Sequence, residues 1–352
     1  MHKILVLLIV ALLTGCVGSP AFDEHPLATK VAMMGSLPAS APHLTDDSFI
    51  PADGVRLPLR RWMPRGQPTA VILALHGFND YANAFAGPGA AWARRGIATY
   101  AYDQRGFGGA PERGRWPGGR QFVDDAAAAL SLLRQRHPGV PLYLLGESMG
   151  GAIAILTATG RGGAPAPDID GVILVAPAVW GRQTMNLVER IGLWFADLMP
   201  AMKLSPDLVP IRIRPSDNIA MLRAYSADPL VIKDTRADAL SGLVDLMSAA
   251  LTAGRWFDAP ALILYGEHDE IVPRAPVAQF VKGLPGRAAL RQRIALYPKG
   301  YHMLLRDLDG PLLVEDVAAW IGDPAAPLPS GADRDARAHL TGHAEPLSAA
   351  AQ

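Results

Sequence analysis

The chain has 352 residues, half of them hydrophobic, and 33 basic side chains balance 33 acidic ones to a formal net charge of zero. That length can bury one large core or two smaller ones, and the even balance excludes charge-driven partners, nucleic acid above all. The single cysteine, Cys16, excludes an intramolecular disulfide.

From the start of the chain, Lys3 is followed by ten apolar residues, Ile4–Leu13. A bilayer span needs ~20, whereas ten suit the core of a secretory signal. Leu13-Thr14-Gly15-Cys16 then resembles the lipobox of bacterial lipoproteins. The resemblance implies a removable signal peptide over 1–15 and a lipidated Cys16. It also implies a protein held at a membrane of the bacterial envelope. Val17 in place of an aspartate favours the outer membrane. Two or more acyl chains would anchor it stably.

Residues 16–47, rich in Pro, Ala and Ser, read as a flexible tether. Phe49–Trp62 predicts a hairpin turning at Asp53-Gly54. Ala70–Leu75, Ile97–Tyr102, Leu142–Leu145, Val172–Ala176, Ala261–Tyr265 and Ile294–Tyr297 are short apolar runs bounded by turn residues, the pattern of buried parallel strands. Gln121–His137 carries Phe122, Ala126, Leu130 and Leu133 at helical spacing. Strands alternating with helices predict an α/β fold with a mostly parallel central sheet flanked by helices, built from 48–177 and 260–321. Between them, 178–259 reads as a helical insert placed as a lid. Its stripe of Leu187, Ile191, Trp194, Phe195 and Leu198 is expected mostly to pack onto the main domain. The Pro, Ala, Gly and charge of 322–352 read as a disordered tail.

The chemistry concentrates where the run Leu142–Leu145 breaks into Gly146-Glu147-Ser148-Met149-Gly150, followed by the small apolar segment Ala152–Thr159. Strand, glycine turn and helix with a serine at the apex form the setting of a nucleophile elbow. Such a serine needs a base and a group to orient that base, and in enzymes with this elbow both follow the serine along the chain. After the run Ala261–Tyr265 come Gly266-Glu267-His268-Asp269-Glu270, where Asp269 lies best as the acid and Glu267 and Glu270 read as solvated loop charges. After Ile294–Tyr297 comes Gly300-Tyr301-His302, on a loop before a helix. Of nine histidines, His2, His25, His43, His339 and His343 fall in the signal, tether or tail. His137 ends a helix, His76 precedes the serine, and His268 adjoins Asp269 and would point away, which leaves His302. Two backbone N–H groups are needed for an oxyanion hole. Met149 supplies one, and Phe78 in the loop Leu75-His76-Gly77-Phe78-Asn79-Asp80 is the candidate for the other.

His76-Gly77-Phe78, Asp103–Gly108, Gly146–Gly151, Tyr225–Leu230, Gly266–Pro273 and Gly300–His302 together resemble the α/β-hydrolase superfamily over Phe49–Ile321. Within it they resemble the monoglyceride lipase/lysophospholipase-like branch, also catalogued as serine aminopeptidase-like. The resemblance implies an α/β-hydrolase fold with a helical lid. It implies a Ser148-His302-Asp269 acyl-enzyme mechanism on lipid carboxylic esters, with lysophospholipid or monoacylglycerol as substrate. No metal or organic cofactor is expected, since no cysteine is available to bind one and no histidine pair has ligand spacing. Asp103 and Arg105 match a family loop read as bracing the site. Asn79-Asp80 departs from the acidic residue and histidine usual in monoglyceride lipases. Lys203, Arg212 and Arg214 of the insert could meet a phosphate head group. Two alternatives stay open. One is an aminopeptidase-like amide hydrolase, for which no carboxylate of the insert can be assigned to a substrate amine. The other is a non-catalytic envelope lipoprotein that uses the fold as a binding module.

Overall fold

The computed structural model describes residues 41–205 and 213–342. The signal at 1–15, Cys16 and Arg212 lie outside them. Eleven strands are found among the described residues: β1 (His43–Leu44), β2 (Ser48–Ile50), β3 (Leu57–Trp62), β4 (Ala70–Leu75), β5 (Ile97–Tyr102), β6 (Leu142–Glu147), β7 (Gly171–Val175), β8 (Lys203–Leu204), β9 (Thr235–Arg236), β10 (Ala261–Gly266) and β11 (Gln292–Tyr297). Nine of them form one sheet in the order β1-β2-β3-β5-β4-β6-β7-β10-β11, and β8 pairs with β9 in a separate ribbon. From β5 to β11 every pairing in the large sheet is parallel, and β1 to β3 join antiparallel at one end.

The helices are α1 (Ala86–Ala93), α2 (Gly119–Arg136), α3 (Met149–Thr159), α4 (Leu187–Leu198), α5 (Ile219–Ala227), α6 (Ala237–Ala253), α7 (Arg274–Gly283), α8 (Gly310–Gly322) and α9 (Ala336–Thr341). Strand alternation divides the core. Val71, Leu73 and Leu75 of β4 point to one face with Phe122, Leu130 and Leu133 of α2 and Ile153 of α3. Ala70, Ile72 and Ala74 point to the other with Trp92 of α1 and Val317 and Trp320 of α8. Both faces are covered, so β4, β5, β6, β7 and β10 are buried along their whole length. Strands in that position read as unbroken apolar runs. Helix α3 is apolar on every side because it is enclosed by the sheet, α2 and α6. The last helix of the insert, α6, is thereby part of the core, with Val244, Leu246 and Ala250 buried.

Three expectations are corrected. Residues 43–44, read as tether, pair with β2. Residues 323–342, read as disordered tail, are folded onto the domain. The N–H of Leu296 in edge strand β11 donates to Ala332 O at 2.8 Å. Arg293 pairs with Asp333, and Ser330 bonds to the buried Asp316. Leu328 joins one core and Ala336 and Leu340 join the other, so the segment wraps the sheet edge. Composition hid this because a few anchors among Pro, Ala and Gly suffice when the docking site is an unpaired strand edge. Third, the described members of the stripe on α4 face outward: Leu187 is 70%, Trp194 55% and Leu198 59% exposed, and among the described residues of this helix Leu193 enters the core; the side chain of Phe195 lies outside the described residues.

The tail packing has a measurable consequence. Leu328→Ala is expected to lower unfolding free energy by about 2–5 kcal/mol in denaturant titration, whereas a disordered tail would leave the midpoint unchanged.

Candidate active site

Strand β6 ends at Glu147 and α3 begins at Met149, leaving Ser148 alone to make the turn. It does so at φ 54°, ψ −115°, a region that costs about 1–3 kcal/mol for a residue with a side chain. The flanking glycines make the turn possible. A Cβ on Gly146 would lie 2.2 Å from Gly150 O, and one on Gly150 would lie 2.0 Å from Leu75 O. Ser148 N donates to Val175 O at 2.9 Å, and Ser148 O accepts from Ala178 N at 2.9 Å, which fixes the apex to β7 and its loop.

Asp269 stands just beyond β10. Its Oδ1 accepts the N–H groups of Ile271 (2.8 Å) and Val272 (2.9 Å). Its Oδ2 lies 2.8 Å from His302 Nδ1, and His302 Nε2 lies 2.9 Å from Ser148 Oγ. An ionised acceptor at Asp269 places the imidazole proton on Nδ1 and leaves Nε2 open to accept from the serine hydroxyl. Burial pushes the His302 imidazole down, but the Asp269 carboxylate, with a smaller contribution from Glu147, more than offsets it and holds it above its ordinary value.

Phe78 follows Gly77 in a loop that runs against the serine: a Cβ on Gly77 would sit 3.3 Å from Ser148 Cβ. His76, fully buried, ties this loop down. Its Nε2 accepts the Gln104 N–H at 2.9 Å, so its Nδ1–H donates to Gly77 O at 2.8 Å, and Gln104 Nε2 donates to His76 O at 2.8 Å. Asp103 accepts the N–H groups of Ala82 and Gly109, and Arg105 is held by Asp125 and Asp53. Both match the bracing read from sequence. Met149 N opens α3, whose N-terminal dipole favours negative charge in the same place. His268 stacks edge-on against Tyr301.

A cavity of about 660 Å³ opens over Ser148 and His302. Trp180, Leu193, Leu240, Val244 and Met247 give it apolar walls. Its polar end holds three side chains not singled out from the sequence as a group: Asp80, Glu147 and Arg306. Arg306 Nη2 lies 2.7 Å from Asp80 Oδ2 and 3.4 Å from Glu147 Oε1. Among the described residues, Glu147 Oε2 and Arg306 Nε are buried without a hydrogen-bond partner. Burial raises the Glu147 carboxyl, and Arg306 draws it back only in part. The signal was available: Glu147 is a charge set beside the serine at the end of an apolar strand, where only a buried partner would retain it. Lys203 and Arg214, read as possible phosphate contacts, are exposed and do not line this cavity.

The family model described as serine aminopeptidase, S33, matches residues 66–309. A monoacylglycerol lipase of Mycolicibacterium smegmatis is 27% identical over 289 residues, which is 79% of this chain and 96% of that protein. Human monoglyceride lipase is 26% identical over 279 residues, 77% of this chain and 88% of that protein. Among solved structures, a soluble variant of Saccharomyces cerevisiae monoglyceride lipase in complex with a substrate analogue superposes with a TM-score of 0.65 at 19% identity, covering 83% of this chain and 97% of that one. With the family model spanning more than two thirds of its length, the chain belongs to the serine aminopeptidase S33 family of α/β-hydrolases, in its monoglyceride lipase-like branch.

Proposed function

We propose that the protein is a serine carboxylic-ester hydrolase acting on single-chain lipid esters with a neutral, hydroxylated alcohol, the monoacylglycerol type. The observation that carries this reading is the Ser148–His302–Asp269 hydrogen-bond chain at the floor of a large apolar cavity. His302 takes the Ser148 proton as Oγ attacks the acyl carbonyl. The oxyanion is held by the N–H groups of Phe78 and Met149, each worth about 3 kcal/mol in such sites. His302 returns the proton to the departing alcohol, then activates the water that frees the fatty acid. Asp269 keeps the imidazole oriented and stabilises its charged form.

The alcohol is read from the polar end of the cavity. Two carboxylates share one guanidinium there, a poor setting for a phosphodiester. A hydroxyl can both donate to Glu147 Oε2 and accept from Arg306 Nε, and so relieve two buried atoms that cost about 1–3 kcal/mol each when left unpaired. The family description names an aminopeptidase, and Asp80 and Glu147 could in principle hold an amine. Arg306 already occupies both, which favours the ester.

Ser148→Ala should lower kcat by about six orders of magnitude. On a panel of monoacylglycerols, lysophosphatidylcholines and aminoacyl nitroanilides, the wild type should favour monoacylglycerols. Turnover confined to the nitroanilides would overturn the ester reading, and a preference for lysophosphatidylcholine would overturn the assigned alcohol.

The pH dependence follows in sign. Only neutral His302 can accept the serine proton, and its imidazole is held above the ordinary value. The acid limb of kcat/KM should therefore have its midpoint above the ~6.5 of a free imidazole, with activity rising as pH rises through it. A limb below that value would contradict the assigned base.

The reading includes a membrane. Cys16 carries lipid, and the outward apolar stripe of α4 meets the same surface that supplies the ester. Full-length protein expressed in a bacterial host should partition into the detergent phase of a phase-separating detergent, and Cys16→Ser should move it to the aqueous phase. Equal partitioning of the two would refute the lipid anchor.

A further inference from the structure

The insert does more than cover the cavity. Residues 214–218, which lead into α5, run alongside the loops that carry His302 and Asp269. Arg214 N donates to Glu270 Oε2 at 2.7 Å, next to Asp269. Met303 N donates to Pro215 O at 2.9 Å. Ser216 Oγ donates to Asp307 Oδ1 at 2.6 Å, and the other oxygen of that carboxylate accepts Tyr301 N–H at 2.7 Å. Asn218 Nδ2 donates to Arg306 O at 3.0 Å, and Leu308 N donates to Asp217 Oδ1 at 2.8 Å. The backbone N–H groups on both sides of His302 are thus held through this strap, one directly and one through Asp307. Ser216 and Asp307 are both buried, so water cannot readily replace either bond.

We infer that Asp307 is a positioning residue for His302, and that the strap 214–218 of the insert is its anchor, so that the seating of the lid sets the alignment of the base. The inference rests on the proposed role of His302. An imidazole must keep its Nε2 within hydrogen-bond reach of the serine and its Nδ1 on the acid at once, and both distances are set by the backbone at residue 302. Releasing Tyr301 N–H and Ser216 frees one side of that backbone. A displacement of about 1 Å in such a group can cost ~10²-fold in rate.

The experiment compares purified Asp307→Ala, Asp307→Asn, Ser216→Ala and His302→Ala with wild type. Ser330→Ala serves as a control, because it removes another hydroxyl–carboxylate bond, part-buried and outside the strap and the loops of His302 and Asp269. Asparagine can keep both bonds, its Oδ1 accepting Tyr301 N–H and its amide donating to Ser216 Oγ. Asp307→Ala should lower kcat by about 10²-fold with KM within about two-fold. Asp307→Asn should stay near wild type, Ser216→Ala should fall between, and Ser330→Ala should lower the Tm without moving kcat. The downfield Nδ1–H proton resonance of His302 should persist in the asparagine variant and broaden in Asp307→Ala. If Asp307→Ala fails to fold, Ser216→Ala decides through the same kcat and resonance readouts. Wild-type kcat in the folded Asp307→Ala or Ser216→Ala, or a loss no greater than that of Ser330→Ala, overturns the inference while leaving the base assignment intact. Retained activity in His302→Ala overturns the base assignment itself.

Discussion

The site depends on one backbone constraint, the left-handed turn at Ser148 between β6 and α3. A residue with a side chain resists φ near 54°, so the turn persists only because its surroundings over-determine it. Gly150 packs against Leu75 O and Gly146 against Gly150 O more closely than any Cβ would allow, while β4, β7 and α3, buried on all sides, hold both ends. A strain of about 1–3 kcal/mol is small against the burial of a helix whose residues Ala152–Leu156 are shielded from solvent. The turn lifts the hydroxyl clear of the sheet and aims the first N–H groups of α3 at the space where an oxyanion would form. It also places Glu147 one residue before the serine, inside the protein.

That placement explains the electrostatics of the cavity. A buried carboxylate beside the proposed nucleophile is costly alone, and Arg306, four residues beyond His302, supplies the compensating charge. Asp80 then joins the same guanidinium from the loop that carries Phe78. The oxyanion loop, the elbow and the base loop each contribute one member of a single ionic cluster. Burial pushes the Arg306 guanidinium down, and the two carboxylates more than reverse this and keep it charged. Within the cluster, Glu147 acts on the imidazole in the same direction as Asp269, and Arg306 acts against it. Among the described residues lining the cavity, the buried atoms without partners, Glu147 Oε2 and Arg306 Nε, are at this cluster, so it is where a polar part of a substrate can gain most.

What could be read from the sequence divides along physical lines. The sheet was legible because β4, β6, β7 and β10 are buried on both faces and so appear as uninterrupted apolar runs. Ser148, Asp269 and His302 could be picked out because each follows the end of a parallel strand, and strand ends converge in space whatever their separation in the chain. The α4 stripe was legible as a stripe but not in its direction, since periodicity reports that one face is apolar and not what it faces. The tail was misread because its order comes from Asp316, Asp333 and Arg293, pairs that only tertiary structure brings together. The Asp80–Glu147–Arg306 cluster shares that difficulty: three charges separated by up to 226 positions carry no local pattern.

The insert follows the same logic. Treated as a lid, it would be a flap hinged at its two ends. Instead it is bonded to the core along its return path. Ile232 N donates to Asn79 O at 3.0 Å and Asn79 Nδ2 to Thr235 Oγ1 at 2.7 Å, which ties it to the loop of Phe78. Tyr81 donates to Asp228 from that same loop, and residues 214–218 tie it to the loops of Asp269 and His302. Helix α4, in the first half of the insert, carries the exposed stripe of Leu187, Trp194 and Leu198. Rigid segments near the chemistry and an apolar helix facing outward assign the two halves of the insert different physical tasks. The first half is available to engage a surface, while the second holds the loops that would act on what enters.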